Sequence, residues 1–404
     1  MLTKNLRSAL DNYKTIMQKN KSICPAAFKE IYADNAGRYR LCCHSKVNKK
    51  INANYNEDRT LPFDYFLSKE MEEIRQRMFE GELIPECVTC YQIEKASGTS
   101  YREKEFQRHG VDTEVRNIRI KLRMFGNYCN LACYMCHPYN STERQKELNE
   151  VFPKANTELY DKFIKKDLTL ASAVKVKHKD WGIYLQHILD NIHLIKHVHM
   201  TGGEPLQLPK YWQFLESIPE EHAKNIRVSQ DSNLTNIHYK NKSIMDVAHK
   251  FKKFHVGVSV DHYGDKLSYM RYPIDVEKFE YNLREISEYN LYYKANCSIS
   301  ILNIDNILEI RDYYNNNFNV PEISFNNIVR GPKYLSIRNL PQKMKDEYIE
   351  KYYEFPYIIA ELKQPQNKPH DQFMEYCDRL SKNRNLDWRP IWKDFIKKYE
   401  SNMR

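Results

Sequence analysis

The 404-residue chain has no long apolar run and few glycines. No stretch approaches the roughly 18 consecutive apolar residues of a membrane-spanning helix, and the first residues contain no apolar signal core. These absences predict a cytoplasmic protein. Glycine occurs only 11 times, against an average usage of about 7%, so the adjacent pair Gly202 and Gly203 is unlikely to be filler. The sequence also contains no internal repeat and no long low-complexity tract.

Neither sign of charge dominates the sequence. Lysine and arginine number 63 and aspartate and glutamate 53, which gives a net charge of +10. Basic and acidic residues alternate and form no block, so the charge permits a nucleic-acid partner without requiring one. The ten cysteines are grouped in C-x2-C and C-x3-C-x2-C clusters, and no signal peptide precedes them. This pattern favours metal binding in a reducing compartment over a disulfide framework.

Three of these cysteines, Cys129, Cys133 and Cys136, have the spacing C-x3-C-x2-C. So compact a loop is suited to bind a [4Fe-4S] cluster through three thiolates, which leaves the fourth iron open to a substrate or cofactor. Structural zinc is the alternative, but such sites usually have four ligands. His137 follows Cys136 directly and is poorly placed to supply that fourth ligand.

From residue 115 onward the sequence alternates between strand-like and helix-like segments. Predicted strands are 117–124, 196–201, 225–230, 254–261, 293–302 and 321–327; predicted helices between them include 141–152, 181–192, 210–217, 243–251, 277–289 and 306–316. Such alternation predicts a parallel sheet with right-handed crossovers, and six repeats predict an open, partial (β/α)6 barrel. In such barrels the chemistry lies at the carboxyl ends of the strands.

Three units are expected: a cysteine-rich segment over residues 1–110, the partial barrel over 111–330 and a helical extension over 331–404. The first unit begins with an amphipathic pattern over residues 1–20. The last has helical stretches near 341–363 and 370–399. In it Trp388 and Trp392 are expected to pack the extension onto the barrel.

The cysteine loop after its strand, followed by Gly202-Gly203-Glu204, resembles the radical S-adenosylmethionine (radical SAM) superfamily. That resemblance implies the same partial barrel, a [4Fe-4S] cluster on the three cysteines and SAM chelated to its open iron. It also implies an electron donor, namely a reductase or a protein of the flavodoxin or ferredoxin type.

The resemblance extends to residues that would hold SAM. In the family the Gly-Gly-Glu motif binds the methionine amino group, and a polar residue corresponding to Asn233 contacts the ribose, with Ser229 as a competitor here. Ser259 and Asp261 resemble a Ser-x-Asp strand end and could reach ribose or substrate. The implied contacts are completed by Arg271, opposite the SAM carboxylate or a substrate acid, and by Met135, beside the adenine.

A second set of cysteines lies upstream, at Cys24, Cys42, Cys43, Cys87 and Cys90. Four of these five thiols suffice for a second [4Fe-4S] cluster or a zinc site, with Cys42 and Cys43 competing for one position. The segment resembles auxiliary-cluster domains of the SPASM/twitch type, although here it precedes the barrel. Such enzymes commonly modify peptides or proteins, which is the substrate class the resemblance implies.

Two other functions fit the sequence. Modification of RNA or a nucleotide is suggested by the positive charge and by 30 tyrosines available for stacking. A non-catalytic protein that binds an iron–sulfur cluster or zinc is the third possibility. The intact cysteine triad together with Gly-Gly-Glu argues against it.

Overall fold

The computed structural model describes most of the chain after residue 21. The described residues are 22–34, 37–46, 53–54, 58–95, 99–110, 112, 114–123, 125–165, 180–289, 291–368 and 370–403. The amphipathic helix predicted for residues 1–20 lies outside them.

A single eight-stranded sheet organises the fold, in the order β10-β9-β8-β5-β4-β3-β1-β2. Its strands are β1 Glu30–Ala33, β2 Tyr39–Arg40, β3 Ile118–Leu122, β4 Ile195–Met200, β5 Arg227–Ser232, β8 Lys253–Ser259, β9 Tyr292–Ile299 and β10 Ile323–Ile328. A separate two-stranded hairpin consists of β6 His238–Tyr239 and β7 Lys242–Ser243. Every pairing in the large sheet is parallel except that of β1 with β2.

The six strands predicted from the alternating pattern are confirmed as β3, β4, β5, β8, β9 and β10, and they are adjacent in the sheet. Parallel neighbours require crossover connections, which the intervening helices provide. The sheet continues beyond these six strands, because β1 from the cysteine-rich segment pairs with β3. The unit boundary expected at residue 110 stays a prediction, and the sheet runs across it.

The two faces of the sheet differ in chemistry. Along β8, Phe254, Val256 and Val258 are buried and point to the helical side, while His255, Gly257 and Ser259 line a cavity on the other side. This alternation follows from the two-residue period of a strand. The hydrophobic core therefore lies between the sheet and its helices, and the second face is left for binding.

The helices cover the first face with amphipathic stripes. In the helix Val276–Glu288, Phe279, Leu283 and Ile286 are buried at spacings of three and four, and Asp275 caps its amino end by accepting a hydrogen bond from the Lys278 amide. The described α-helices are Ala26–Lys29, Pro62–Phe66, Lys69–Phe79, Val88–Lys95, Tyr101–His109, Thr142–Val151, Thr157–Tyr160, Trp181–Asp190, Pro209–Ser217, Glu220–Ala223, Ile244–Ala248, Gly264–Met270, Val276–Glu288, Ile307–Phe318, Gln342–Lys351, Pro356–Leu362, His370–Arg384, Trp388–Ile391 and Lys393–Ser401, with a π-helical turn over Asp161–Lys165. None of the helices in the described ranges is long and apolar enough to cross a membrane.

The carboxyl-terminal extension is helical, as predicted, and it packs on the barrel. Trp388 and Trp392 are almost fully buried, and the indole Nε1 of Trp392 donates a hydrogen bond of 2.8 Å to the Leu302 carbonyl just beyond β9. The Tyr376 hydroxyl donates a 2.9 Å hydrogen bond to the carbonyl of Tyr134, in the cysteine loop. The extension therefore supports the loop after β3 directly.

Candidate functional site

A cavity of about 960 Å³ opens on the polar face of the sheet. Its wall includes most of the residues singled out from the sequence: Cys129, Cys133, Met135, Cys136, Gly202, Gly203, Glu204, Ser229, Asn233, Ser259 and Arg271. The loops that follow β3, β4 and β5 bring them together, because the carboxyl ends of parallel strands meet at one edge of a sheet.

The backbone of the cysteine loop is held by hydrogen bonds from distant parts of the chain. The amides of Ala132 and Tyr134 donate to the carbonyls of Tyr272 and Met270, at 2.6 and 2.9 Å. The Arg384 guanidinium, from the carboxyl-terminal extension, donates to the Ala132 carbonyl at 2.7 Å. The loop thus keeps a fixed shape without relying on a regular element of its own.

The three loop cysteines have thiols whose pKa is raised by their surroundings. Burial raises the pKa of each, to about 12 for Cys136, and the Cys133 thiol raises the pKa of Cys129 and Cys136 further. Iron binding would have to displace the thiol protons, since the thiolate is the ligand. The ring of His137 accepts a hydrogen bond from the Tyr139 amide at 3.1 Å, so this histidine stabilises its own turn.

The Gly-Gly-Glu turn packs directly against the start of the cysteine loop. Gly203 has a φ of 62°, and a Cβ at this position would lie 2.4 Å from the Tyr128 carbonyl oxygen. The amide of Glu204 donates to that same carbonyl at 2.8 Å. Only glycine permits this approach, so the two motifs that are distant in sequence form one structural unit.

The carboxylate of Glu204 is 2% exposed and accepts hydrogen bonds from three donors. These are the Leu206 amide at 3.1 Å, the Ser232 hydroxyl at 2.8 Å and the Asn233 amide at 2.6 Å. Burial raises its pKa to about 7, and the three hydrogen bonds oppose that shift. The carboxylate is therefore fixed in direction and poised to ionise near neutral pH.

The side chain of Asn233 stabilises its own loop. Its Nδ2 group donates to Asn130 Oδ1 at 3.0 Å and approaches the Cys129 sulfur at 3.7 Å. Its Oδ1 accepts from the Thr235 amide and hydroxyl, at 3.0 and 2.8 Å. The predicted ribose contact stays a prediction, and the observed contacts tie the loop after β5 to the cysteine loop.

Asp261 does not reach the cavity that Ser259 lines, contrary to the expectation that both could contact ribose or substrate. β8 ends at Ser259, so the two-residue period no longer applies at position 261. Asp261 is fully buried, accepts a hydrogen bond from the Ser298 amide at 2.7 Å and pairs with Arg271 at 2.7 Å. Arg271 in turn directs Nη1 towards the Cys133 sulfur at 3.8 Å. Asp261 therefore orients the arginine that faces the cysteine loop.

The upstream cysteines divide into a group of four and one outlier. Cys24, Cys42 and Cys87 are buried, and burial raises the pKa of each thiol. The thiols of Cys87 and Cys90 raise the pKa of Cys24 further, and those of Cys42 and Cys90 raise the pKa of Cys87 further. Cys43 is the outlier, because its sulfur lies 3.2 Å from the Lys121 ammonium. Across the described ranges, no three His, Cys, Asp or Glu side chains converge on a single metal ion.

Sequence reasoning missed a row of polar side chains on the cavity face. The hydroxyl of Ser229 is hydrogen-bonded to His197 Nε2 at 2.7 Å and to His199 Nδ1 at 2.8 Å. The other ring nitrogen of His199 lies 3.7 Å from Asp231 Oδ2. The signal was a period-two alternation of polar and apolar residues at the end of β4, which indicates a strand with one polar face.

The structure is that of an α/β protein with a parallel sheet. Its first barrel strand, β3, leads into a three-cysteine loop at the carboxyl ends of the strands. Residues 124–315 match the family described as Radical SAM superfamily. This stretch of the chain is therefore similar to a radical SAM domain. No curated protein matches the chain.

Among solved structures, the chain is similar to anSMEcpe with bound AdoMet, at 16% identity and a TM-score of 0.39, covering 58% of this chain and 60% of that one. It is also similar to Streptococcus suis SuiB bound to S-adenosylmethionine, at 16% identity and a TM-score of 0.37, covering 72% and 59%. SuiB bound to the precursor peptide SuiA matches at 15% identity and a TM-score of 0.39, covering 80% and 70%. The chain thus spans less than two thirds of the length of the first two structures.

Proposed function

We propose that the protein cleaves SAM reductively at a [4Fe-4S] cluster held by Cys129, Cys133 and Cys136 and uses the resulting radical to modify a peptide or protein. The bound cluster would supply one electron to the sulfonium of SAM, and the 5'-deoxyadenosyl group would then remove a hydrogen atom from the substrate. The observation that carries the proposal is the direct packing of the Gly-Gly-Glu turn on the cysteine loop.

The residues of the cavity fit both groups. Three thiols on one short loop match the ligand set of a cluster with one open iron. Glu204 is a buried carboxylate whose hydrogen-bond partners are neutral dipoles, so the ammonium of SAM would provide the cation that it lacks. The Arg271 guanidinium, fixed by Asp261, can bind a carboxylate. The contacts of Met135 with adenine and of Ser259 and Asn233 with ribose belong to the same proposal.

The role of Glu204 is tested by the Glu204→Gln variant. We expect SAM affinity to fall by about ten- to a hundredfold, because a hydrogen bond between charged groups contributes about 1.5–3 kcal/mol. Titration calorimetry on anaerobically reconstituted protein measures the change. The visible absorbance of the cluster should stay at the parental level. Glu216→Gln, which removes an exposed carboxylate paired with Lys242, serves as the matched control. Unchanged SAM affinity in Glu204→Gln would remove this role.

The pH dependence gives an independent test of the same carboxylate. Because the pKa of Glu204 is about 7, the group is mostly protonated at pH 6 and must lose that proton before it binds an ammonium. SAM affinity of the parent should therefore rise several-fold between pH 6 and pH 7.5. This rise should be absent from Glu204→Gln, and an equal rise in both proteins would assign it to another group.

A second cluster on Cys24, Cys42, Cys87 and Cys90 is also proposed, in a SPASM/twitch-like segment. Its support is that these four thiols are buried and close enough to influence one another: Cys87 and Cys90 raise the pKa of Cys24, and Cys24 raises that of Cys42. In the first unit, Glu94 and Arg102 form an ion pair and Arg102 also donates to the Ile23 carbonyl at 3.1 Å, which fixes the residue next to Cys24. This cluster would accept the electron released by the substrate or bind the substrate.

Iron content distinguishes the two candidate ligands in the adjacent pair. The reconstituted parent should hold about eight irons per chain, four for each cluster. Cys42→Ala should reduce that number to about four, whereas Cys43→Ala should keep about eight. The two variants are matched controls for each other, and the opposite result would exchange the assignments. Zinc without iron in the parent would contradict both clusters.

Two further features of the proposal concern partners. The electron would come from a reductase or from a flavodoxin- or ferredoxin-type protein, as the cluster chemistry requires a one-electron donor. The peptide or protein substrate rests on the resemblance of the cysteine-rich segment to auxiliary-cluster domains. Copurification of RNA with steep salt dependence would instead favour the RNA-modifying alternative.

A further inference from the structure

The cavity face of the sheet is polar along the central strands. In β8 the alternate residues are Lys253, His255, Gly257 and Ser259, opposite the buried Phe254, Val256 and Val258. The same alternation holds elsewhere, with Arg227, Ser229 and Asp231 on β5 and Tyr292, Lys294, Asn296 and Ser298 on β9. Parallel strands buried on both faces are usually continuous apolar runs. A polar face of this extent therefore indicates a binding surface.

This surface extends well away from the cysteines. Arg227 begins β5, whereas Asn233, beside Cys129, follows its end, and six residues of strand span about 20 Å. Pockets for a single drug-sized ligand have volumes of roughly 300–1,000 Å³, and this cavity measures about 960 Å³. It therefore has room for SAM at the carboxyl ends of the strands and for part of a substrate at the far end.

The cations nearest the cysteine-rich segment are neutralised. Arg119 pairs with Glu105 at 2.5 Å and also with Glu30. Lys121 lies 3.2 Å from the same Glu30 carboxylate. These contacts form a buried network in which Glu30 and Glu105 compensate the positive charges of Arg119 and Lys121.

The far end of the cavity is different. Arg227 and Lys294 line this end together with His255, and Lys253 is exposed at the start of β8, outside the cavity lining. Within the part of the chain that the structure describes, none of these three cations forms an ion pair. The register places His255 beside Tyr292, whose ring centroid is 4.3 Å away. Burial lowers the pKa of His255, and the three cations lower it further. A concave surface focuses such a positive potential.

The carboxylate of Asp231 lies close to these positive charges, and both of its oxygens already have partners. Asp231 Oδ1 accepts a hydrogen bond from Asn296 at 3.3 Å, across Gly257. Its Oδ2 faces His199 at 3.7 Å. One negative charge is set against the two positive charges of Arg227 and Lys294, so the far end retains an excess of positive charge.

We infer that the far end of the cavity binds an acidic side chain of the substrate. This inference deepens the proposed function and rests on it, and it makes the substrate an acidic peptide segment. Arg227 and Lys294 line the cavity, where a single side chain can reach them. On the outer surface, lysines such as Lys146 and Lys165 pair with carboxylates, which does not provide the continuous basic track that a nucleic-acid backbone needs.

The experiment compares two fluorescent decapeptides of glycine and serine, one carrying two glutamates and the other two glutamines at the same positions. Binding to reconstituted protein with SAM is followed by fluorescence anisotropy. The parent should bind the glutamate peptide about tenfold more tightly than the glutamine peptide. Lys294→Gln and Arg227→Gln should each reduce that preference to about threefold or less. Lys196→Gln removes an exposed charge from β4 outside the cavity and should keep the full preference.

Three outcomes would overturn the inference. Equal affinity of the parent for the two peptides, with SAM cleavage intact, would reject the acidic substrate while the proposed function stands. An unchanged preference in both cavity variants, each shown by thermal melting to be folded, would place the anion elsewhere. Tighter binding of a single-stranded RNA decamer, lost in Lys294→Gln, would assign the cations to phosphate groups. A parent that does not cleave SAM would instead reject the proposed function itself.

Discussion

Replacement of Cys133 by alanine is expected to abolish reductive SAM cleavage and to remove about four irons per chain. A cluster with an open iron has only three protein anchors, so the loss of one thiolate leaves two. Cys133 is the middle residue of the triad, 9% exposed, and its sulfur is the one that Arg271 approaches. Anaerobic reconstitution, iron analysis and detection of 5'-deoxyadenosine after reduction with dithionite measure the effect.

A buried cysteine outside the loop provides the control for Cys133→Ala. Cys377 is fully buried in the helix His370–Arg384 and has no part in either predicted cluster. Cys377→Ala should retain the iron content and the SAM cleavage of the parent. If Cys133→Ala cleaved SAM at the parental rate, the three-cysteine loop would not be the cluster site.

The barrel strands, the three-cysteine loop and the Gly-Gly-Glu motif could be predicted from the sequence alone. The periodicity of the strands explains this success, since β3, β8 and β9 are runs in which polar and apolar residues alternate, and the six barrel strands lie between helical segments. The Gly-Gly-Glu turn was also recognisable, because glycine is scarce in this chain and two adjacent glycines here directly precede a glutamate. Both features depend on residues that are neighbours in the chain.

Features that depend on distant contacts could not be predicted. The place of β1 in the sheet is set by pairing with β3, about 90 residues later. The burial of Asp261 depends on where β8 ends and on the partner Arg271. Similarly, the orientation of Cys43 towards Lys121 appears only when the strands are assembled. The polar face of the sheet, in contrast, could have been predicted, because polar and apolar residues alternate along the sequences of β8 and β9.

The support of the cysteine loop by Arg384 is a further long-range contact, and it belongs to a buried ionic cluster. Arg384 Nη2 lies 2.9 Å from Glu147 Oε2, and Arg144 pairs with the same carboxylate. All three side chains are at most 6% exposed. Burial raises the pKa of Glu147, but the two guanidinium groups lower it more, so the carboxyl group stays ionised. Their stabilising effect is present at neutral pH and is lost as the pH falls through the lowered pKa.

Replacement of Glu147 by alanine is therefore expected to lower the free energy of unfolding by about 3–5 kcal/mol, because it leaves two guanidinium groups buried without a counter-charge. Urea denaturation measures the loss. Glu143→Ala removes an exposed glutamate of the same helix, paired with Lys146, and should change stability by less than about 1 kcal/mol. Since Arg384 also donates to the Ala132 carbonyl, Glu147→Ala should additionally reduce iron loading at the loop. Equal stability of the two variants would show that the ionic cluster of Glu147, Arg144 and Arg384 adds little to the fold. Full iron loading in Glu147→Ala would show that the cysteine loop keeps its shape without this ionic cluster.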